Sequence, residues 1–391
     1  MSPHRTPHPV KHPEDITPAT LVTAREHLEE VVAELRLAPR LAIDTESNGF
    51  YAYQEKVCLL QISSPTEDFI VDPIAVADLS ALGELTANPA IEKIFHAGEY
   101  DVLCLKRDYD FTFANLFDTM IAGRLLGSKE LGLAAAISKY FGITLSKKLQ
   151  RADWGKRPLS DAHIRYAQCD THYLMRLADI LKEQLREKGR EQDAVEAFAG
   201  LTELEPTFKS FDPDGFWRLS GHDRLSPQQL ACLREVYLLR EKQAQALDRA
   251  PFRVMPEDLM IRLAEAMPTD QSGLGKVRGM TPYLQHKFGH IILQALERGR
   301  HAPHPVEPPR TAKRRSNKER RIFEELRQWR KTQAQREGVE PIVIVPTDAL
   351  KDVARLAADE DPDPLQGLSD LKFDRYAEDI KAVLRPRSSG Q

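Results

Sequence analysis

Apolar positions alternate between two periods from residue 19 to about 205, and beyond that point only the helical period persists. A helix is predicted over 20–35, where apolar residues recur at helical spacing. Strands are predicted over 41–45, 57–63 and 68–72; Asn48-Gly49 and Ser64-Pro65 supply the turns, so the three form an antiparallel meander. Helix and strand then alternate: a helix over 79–86, a strand over 93–96, a helix over 99–107, a short apolar stretch at 111–113, and helices over 116–126, 131–141 and 160–186. This order calls for an α/β domain, a mixed sheet flanked by helices.

The remainder reads as two all-α units with a shared outline. The first carries helical patterns at 226–250, 256–266 and 283–298, the second runs over 318–384, and a proline-rich stretch at 302–309 joins them. Each has a long amphipathic helix containing Arg240 or Arg330, followed by a proline-flanked apolar segment, Pro251-Phe252-Arg253-Val254-Met255 or Pro341-Ile342-Val343-Ile344-Val345-Pro346. The pair is a divergent tandem repeat. The expected division is a disordered tail at 1–18, an α/β domain at 19–208, helical units at 218–300 and 317–386, and a linker at 301–316. His4, His8 and His12 sit in the tail, where nothing fixes their geometry for a metal.

Composition narrows the class. The 391 residues are 41% hydrophobic and 29% charged, with a formal net charge of −4, so any nucleic-acid binding must come from local basic patches. Cys58, Cys104, Cys169 and Cys232 are widely spaced with no C-x-x-C, which disfavours a zinc site or disulfide framework and fits a reducing compartment. No apolar run has the length of a membrane span and no secretory h-region opens the chain. The expected location is the cytoplasm.

Candidate chemistry centres on Leu41-Ala42-Ile43-Asp44-Thr45-Glu46. In a strand, residues i and i+2 share a face, so Asp44 and Glu46 stand side by side and invite a divalent cation. Taken alone they also suit a solvated strand edge. Asp101 follows a strand end and the small-residue turn Ala97-Gly98, and as it stands it reads equally as charge compensation at a helix N-terminus. Tyr166 and Asp170 lie one helical turn apart on one face, a carboxylate beside a phenol able to hold a water.

Together these segments resemble the motifs of the DEDD exonuclease superfamily, and most closely the ribonuclease D family. Asp44 and Glu46 match its D-x-E motif, Asp101 its second motif, and Tyr166 with Asp170 its Y-x-x-x-D motif. Arg165 occupies the position where the histidine branch would carry His, so the tyrosine branch is indicated. Leu59-Leu60-Gln61-Ile62-Ser63 resembles the family's second strand, and Ala152-Asp153-Trp154-Gly155-Lys156-Arg157-Pro158-Leu159-Ser160 the segment before its third motif. One departure is Ser47, where many members carry Phe; Phe50 or Tyr51 is the candidate replacement. The helical repeats resemble HRDC domains, known after the nuclease in this family and at the end of RecQ-type helicases.

The resemblance implies a ribonuclease H-like mixed-sheet exonuclease domain followed by two HRDC domains. It implies a two-metal 3′-5′ exoribonuclease using Mg²⁺ or Mn²⁺, acting on single-stranded RNA 3′ ends in tRNA 3′ processing or RNA turnover. Asp44, Glu46, Asp101 and Asp170 would hold the ions, with Asp44 bridging them and Asp101 acting through water. Tyr166 would orient the attacking water and Glu46 hold the terminal 3′-hydroxyl. Thr45, Gln61, His96, Trp154 and Arg157 are the expected substrate contacts. For Trp154 packing competes with stacking. The basic residues Lys147, Lys148, Arg151, Lys156 and Arg157, like the run Arg310, Lys313, Arg314, Arg315, Lys318, Arg320 and Arg321, suit either phosphates or plain solvation. HRDC surfaces also suit protein partners. The alternatives are a single-stranded DNA exonuclease and a catalytically silent nucleic-acid-binding module, against which stands the complete set of four acids and the tyrosine.

Overall fold

Seven consecutive residues, Val57–Ser63, are all buried, and such a strand fits only mid-sheet with both faces covered. The computed structural model describes residues 10–206, 210–308 and 316–385. Its N-terminal elements run β1 (Thr20–Val22), α1 (Arg25–Leu35), β2 (Arg40–Ser47), β3 (Val57–Ser63), β4 (Asp68–Val71), α2 (Ser80–Ala87), β5 (Glu92–Phe95), α3 (Glu99–Tyr109), β6 (Leu116–Asp118), α4 (Thr119–Leu125), α5 (Leu133–Phe141), α6 (Asp161–His172), α7 (Leu174–Glu187) and α8 (Glu191–Thr202). The six strands form one mixed sheet in the order β1-β4-β3-β2-β5-β6. β2, β3 and β4 make the expected antiparallel meander, and β1, β5 and β6 add to it in parallel.

Alternation along β2 assigns the two faces. Leu41 and Ile43 pack with Leu28, Val32, Leu82, Val102 and Leu105 of α1, α2 and α3. Ala42 faces the other way, toward Ala122, Leu177, Leu181 and Phe198 of α4, α7 and α8. Asp44 and Glu46 continue the phase of Ala42 into the end of the strand.

Three expectations change here, and one stretch left unassigned resolves. The predicted helix over 20–35 begins at Arg25, because Thr20–Val22 pairs in parallel with Phe69–Val71. The predicted helix over 116–126 is β6 followed by α4, with Asp118 capping the helix through hydrogen bonds from Met120 N at 2.8 Å and Ile121 N at 2.9 Å. Phe111 and Phe113 fill the core without forming a strand. The long helix over 160–186 breaks at Tyr173 into α6 and α7. The tail also ends sooner than expected. Ile16 is buried, Arg165 donates to the Ile16 carbonyl at 2.8 Å, Gln168 to that of Thr17 at 2.7 Å, and Tyr173 to that of Lys11 at 3.1 Å. His4 and His8 lie outside the described residues, as do Arg310, Lys313, Arg314 and Arg315.

The first helical unit comprises α9 (Pro227–Ala246), α10 (Pro251–Val254), α11 (Glu257–Ala266), α12 (Gln271–Gly275) and α13 (Pro282–His301), and the second α14 (Asn317–Glu337), α15 (Pro341–Ile344), α16 (Thr347–Ala358) and α17 (Asp370–Leu384). Ser226 and Gln229 form a capping box at the start of α9. Gly299 lets α13 approach α9: a Cβ there would stand 2.5 Å from Cys232 Cα. The proline-flanked segments are the single turns α10 and α15, and the two marker arginines, Arg240 and Arg330, are both buried, Arg330 donating to the Val345 carbonyl at 2.8 Å.

Both units touch the sheet domain, through different chemistry. Arg253 covers the Tyr51 ring at 3.9 Å and donates to the Phe50 carbonyl, while Phe50 meets Phe252 edge-on at 6.5 Å. The second unit is held by ions: Asp193 on α8, whose side chain is wholly buried, accepts from Lys372 at 2.6 Å and Arg375 at 2.7 Å of α17, and Arg190 pairs with Glu337 of α14. Removing one member of such a group strands the others without a counter-charge. Asp193→Ala is therefore expected to lower stability by about 3 kcal/mol or more in urea unfolding; a variant melting like the wild-type protein would contradict the buried-ion account.

Candidate active site

Three elements deliver acids to one end of the sheet. In β2, Asp44 pairs with Gln61 and Glu46 with Leu59, and the register slips between Glu46 and Ser47, so the ladder is interrupted as the second acid emerges. α3 begins just after β5, and its first turn holds Asp101, which is buried. Thr45 fixes Asp101 in place: its backbone N donates to Asp101 Oδ1 at 3.0 Å, and its hydroxyl donates to the same oxygen. α6 packs over β2, β3 and β4 on the Asp44 face and supplies Tyr166 and Asp170, both half-buried.

The electrostatics show how near these groups are. Burial raises the Glu46 carboxyl to about 9, with Asp170 and Asp101 adding to the shift. Asp170 is pushed up to about 7 by burial and then by Asp101. Asp101 reaches only about 6, because the Thr45 hydrogen bonds oppose its burial. Asp44 is raised well above the carboxylate range by burial, then by Asp101, Asp170 and Glu46. The Tyr166 phenol is also raised, by burial and then by Asp170, Glu46 and Asp44. Among the described residues, no basic side chain stands among the main causes of these five shifts. Uncompensated negative charge built from oxygen donors alone suits hard divalent cations. Among the described residues no trio of His, Cys, Asp or Glu forms a ready-made metal cage.

The five expected supporting residues fare differently. Thr45 serves as the clamp on Asp101, a positioning residue. Gln61 is fully buried opposite Asp44, with neither amide atom hydrogen-bonded, so it offers a donor and an acceptor beside the acids. His96 is turned toward Thr119, its Nδ1 2.9 Å from the hydroxyl, in a small crevice with Lys139 and Tyr140. Trp154 is 1% exposed and packs against Tyr166, ring centres 5.9 Å apart, so it supports the tyrosine and has no free face for a base. Arg157 is a staple: it grips Asp72 through two bonds of 2.6 and 2.7 Å and donates to the carbonyls of Trp154 and Cys58. Those bonds consume the donors that a phosphate would need.

Sequence reasoning missed one cluster. Tyr100, next to Asp101, donates to Glu55; Ser47, next to Glu46, donates to Glu55 at 3.0 Å and lies 3.2 Å from the Tyr100 hydroxyl; Arg107 donates to Glu55 at 3.2 Å. Ser47 thus ties the two acidic segments together by hydrogen bonding, and Phe50 and Tyr51, the candidate replacements for an apolar contact, are engaged with the first helical unit. Its only signal was the polar Ser47 itself.

An acid pocket at the strand ends of this sheet, followed by paired helical modules, defines the class: residues 19–186 match the 3′-5′ exonuclease family model and residues 229–296 and 319–384 the HRDC domain model. Ribonuclease D of Gluconacetobacter diazotrophicus is 30% identical, over 72% of this chain and 72% of that protein. The exosome complex component 10 homolog of Caenorhabditis elegans is 34% identical over 72% of this chain and 33% of that protein. The crystal structure of the catalytic core of RRP6 from Trypanosoma brucei superposes with a TM-score of 0.68 and 31% identity, covering 75% of this chain and 83% of that one. The chain belongs to the ribonuclease D family. It spans about a third of the length of the curated relatives it first matches.

The raised carboxyls have a consequence for stability. For Glu46, ordinarily 4.5 and here about 9, the native state holds a proton that the unfolded chain gives up, so stability is full below about 4.5 and falls as pH rises toward 9. Asp170 and Asp101 act in the same sense up to about 7 and 6. In chelator, Glu46→Gln should melt about 3 °C or more above the wild-type protein at pH 8 and close to it at pH 4. A gap independent of pH, or reversed, would argue against an uncompensated acid pocket.

Proposed function

We propose that this chain is a divalent-metal-dependent 3′-5′ exoribonuclease that hydrolyses single-stranded RNA from its 3′ end and releases 5′-nucleotides, in tRNA 3′ processing or RNA turnover. The observation that carries this reading is the convergence of four mutually repelling carboxylates, Asp44, Glu46, Asp101 and Asp170, with the Tyr166 phenol among them. The names of the relatives point to RNA, since one is a ribonuclease and others belong to exosome complexes.

Asp44, Glu46, Asp101 and Asp170 would hold Mg²⁺ or Mn²⁺. Bound divalent cations would supply a water activated for attack and stabilisation of the charge that builds on the phosphate and leaving oxygen. Tyr166 works as a donor: its pKa lies above that of a free phenol, so it keeps its proton at neutral pH and orients a water without deprotonating it. Glu46 would hold the terminal 3′-hydroxyl, which restricts attack to the last phosphodiester. Gln61, fully buried beside Asp44 with its amide unpaired, is closed to the terminal nucleotide and would act only through its neighbours. We place the enzyme in the cytoplasm, which suits its four buried, unpaired cysteines. Protein partners would dock on the HRDC modules.

Asp44→Asn is expected to cut hydrolysis of 3′-labelled RNA by more than about a hundred-fold, the scale of one lost electrostatic stabiliser, while RNA affinity stays within a few fold. Blocking the 3′-hydroxyl should protect the substrate, and RNA should be degraded faster than matched DNA. Wild-type rates in the variant, or equal cleavage of blocked RNA, would overturn the reading.

A further inference from the structure

The ladder between β2 and β3 slips where the second acid emerges. Glu46 pairs with Leu59 and Ser47 with Val57, so Cys58 is the extra residue of a bulge. A bulge re-aims the side chains beside it and gives up part of the pairing that would hold them. Other contacts must then fix the direction of Glu46.

Those contacts converge on Glu55, in the turn between the two strands. The turn wraps closely round this side chain, since a Cβ on Gly49 would stand 2.8 Å from Glu55 Cδ. One oxygen, Oε1, accepts from the Ser47 hydroxyl at 3.0 Å and from the Tyr100 hydroxyl. The other, Oε2, accepts from Arg107 at 3.2 Å. Tyr100 and Arg107 lie seven residues apart on α3, two turns along one face, so the carboxylate is gripped by both ends of the helix. Arg107 is braced in turn by Asp108 at 2.7 Å, and Asp108 accepts at 2.9 Å from the backbone N of Val57, the residue opposite Ser47.

Ser47 follows Glu46 and Tyr100 precedes Asp101, so the Glu55 carboxylate spans the two segments whose acids share the pocket. It differs from those acids in kind. Burial works against its charge, yet hydrogen bonds from Tyr100, Ser47 and Arg107 hold its carboxyl below the ordinary value, whereas the four pocket acids are all raised. Both its oxygens are engaged and a guanidinium balances its charge. It serves as a strut and not as a fifth ligand.

We propose that Glu55 is a positioning residue for the reaction: it locks the end of β2 against the first turn of α3 and so sets the spacing of Glu46 and Asp101 that a divalent cation requires. The proposal rests on the exonuclease reading and adds to it a group outside the four acids and the tyrosine. Ser47 and Tyr100 are the two arms through which the strut acts.

The test is a titration of the full chain with Mn²⁺ at pH 7 in the absence of RNA, free Mn²⁺ being read by electron paramagnetic resonance, with thermal melting alongside. Glu55→Ala should weaken Mn²⁺ binding about ten-fold, the scale on which groups that orient metal ligands act, and lower kcat while KM for RNA stays within about two-fold. Ser47→Ala and Tyr100→Phe each remove one bond and no charge; each should weaken Mn²⁺ binding about three-fold, and the two together should approach Glu55→Ala. Glu55→Gln keeps an acceptor for both hydroxyls and should recover most of the affinity. Asp193→Ala, which removes stability elsewhere, should leave Mn²⁺ affinity within about two-fold of wild type. A Glu55→Ala variant that melts earlier but binds Mn²⁺ like the wild-type chain would make Glu55 a structural pin alone and overturn the proposal. A Glu55→Gln variant as weak as Glu55→Ala would assign the effect to charge, and would also overturn it. A wild-type chain that binds Mn²⁺ in this Glu55-dependent way but hydrolyses no RNA would sink the exonuclease reading and leave the strut standing.

Discussion

Four carboxylates that would separate in water are held together by the fold, and most of the sheet domain can be understood as the frame that opposes their repulsion. Asp44 and Glu46 are fixed by the pairing of β2 with the wholly buried β3, so neither can withdraw without breaking the centre of the sheet. Asp101 is tied down by Thr45, and Asp170 by the packing of α6 across three strands. Arg157, anchored to Asp72, props Trp154 against Tyr166. These contacts hold the acids where burial and mutual repulsion favour their protonated forms, so a cation that binds there must displace protons.

The acids were legible in the sequence because their geometry is local. Asp44 and Glu46 share a strand face, and Tyr166 and Asp170 share a helix face, whatever the rest of the fold does. What escaped is what depends on distant partners. Arg157 lies 85 residues from Asp72, so its neighbours in sequence gave no hint that its charge was already satisfied. β1 and β6 have three residues each, too few for a period to appear, and each runs straight into a helix whose pattern absorbed it. The proline- and histidine-rich start looked unstructured, yet Ile16 and the Thr17 carbonyl dock on α6 and α7. Ser47 looked like a defect in a motif and is instead the link between the two acidic segments.

The paired helical modules were readable as a repeat, and their equivalent buried arginines support that. Their contacts with the sheet domain are not equivalent. The first uses aromatic rings and a stacked guanidinium on the loop that follows β2 and Glu46. The second uses a buried ion cluster around Asp193 on α8. One copy thus packs through rings beside the end of β2, while the other is fastened by charges that hold only in the folded arrangement.

Proton release on cation binding tests the central claim most directly. Carboxyls raised by burial and mutual repulsion must shed protons when a divalent ion replaces them. Titration calorimetry with Mn²⁺ at pH 7, in buffers of different ionisation heat, should show at least about one proton released per chain, falling in Glu46→Gln. Cation binding with no proton release, or release unchanged by that substitution, would mean that the four acids do not form one shared site.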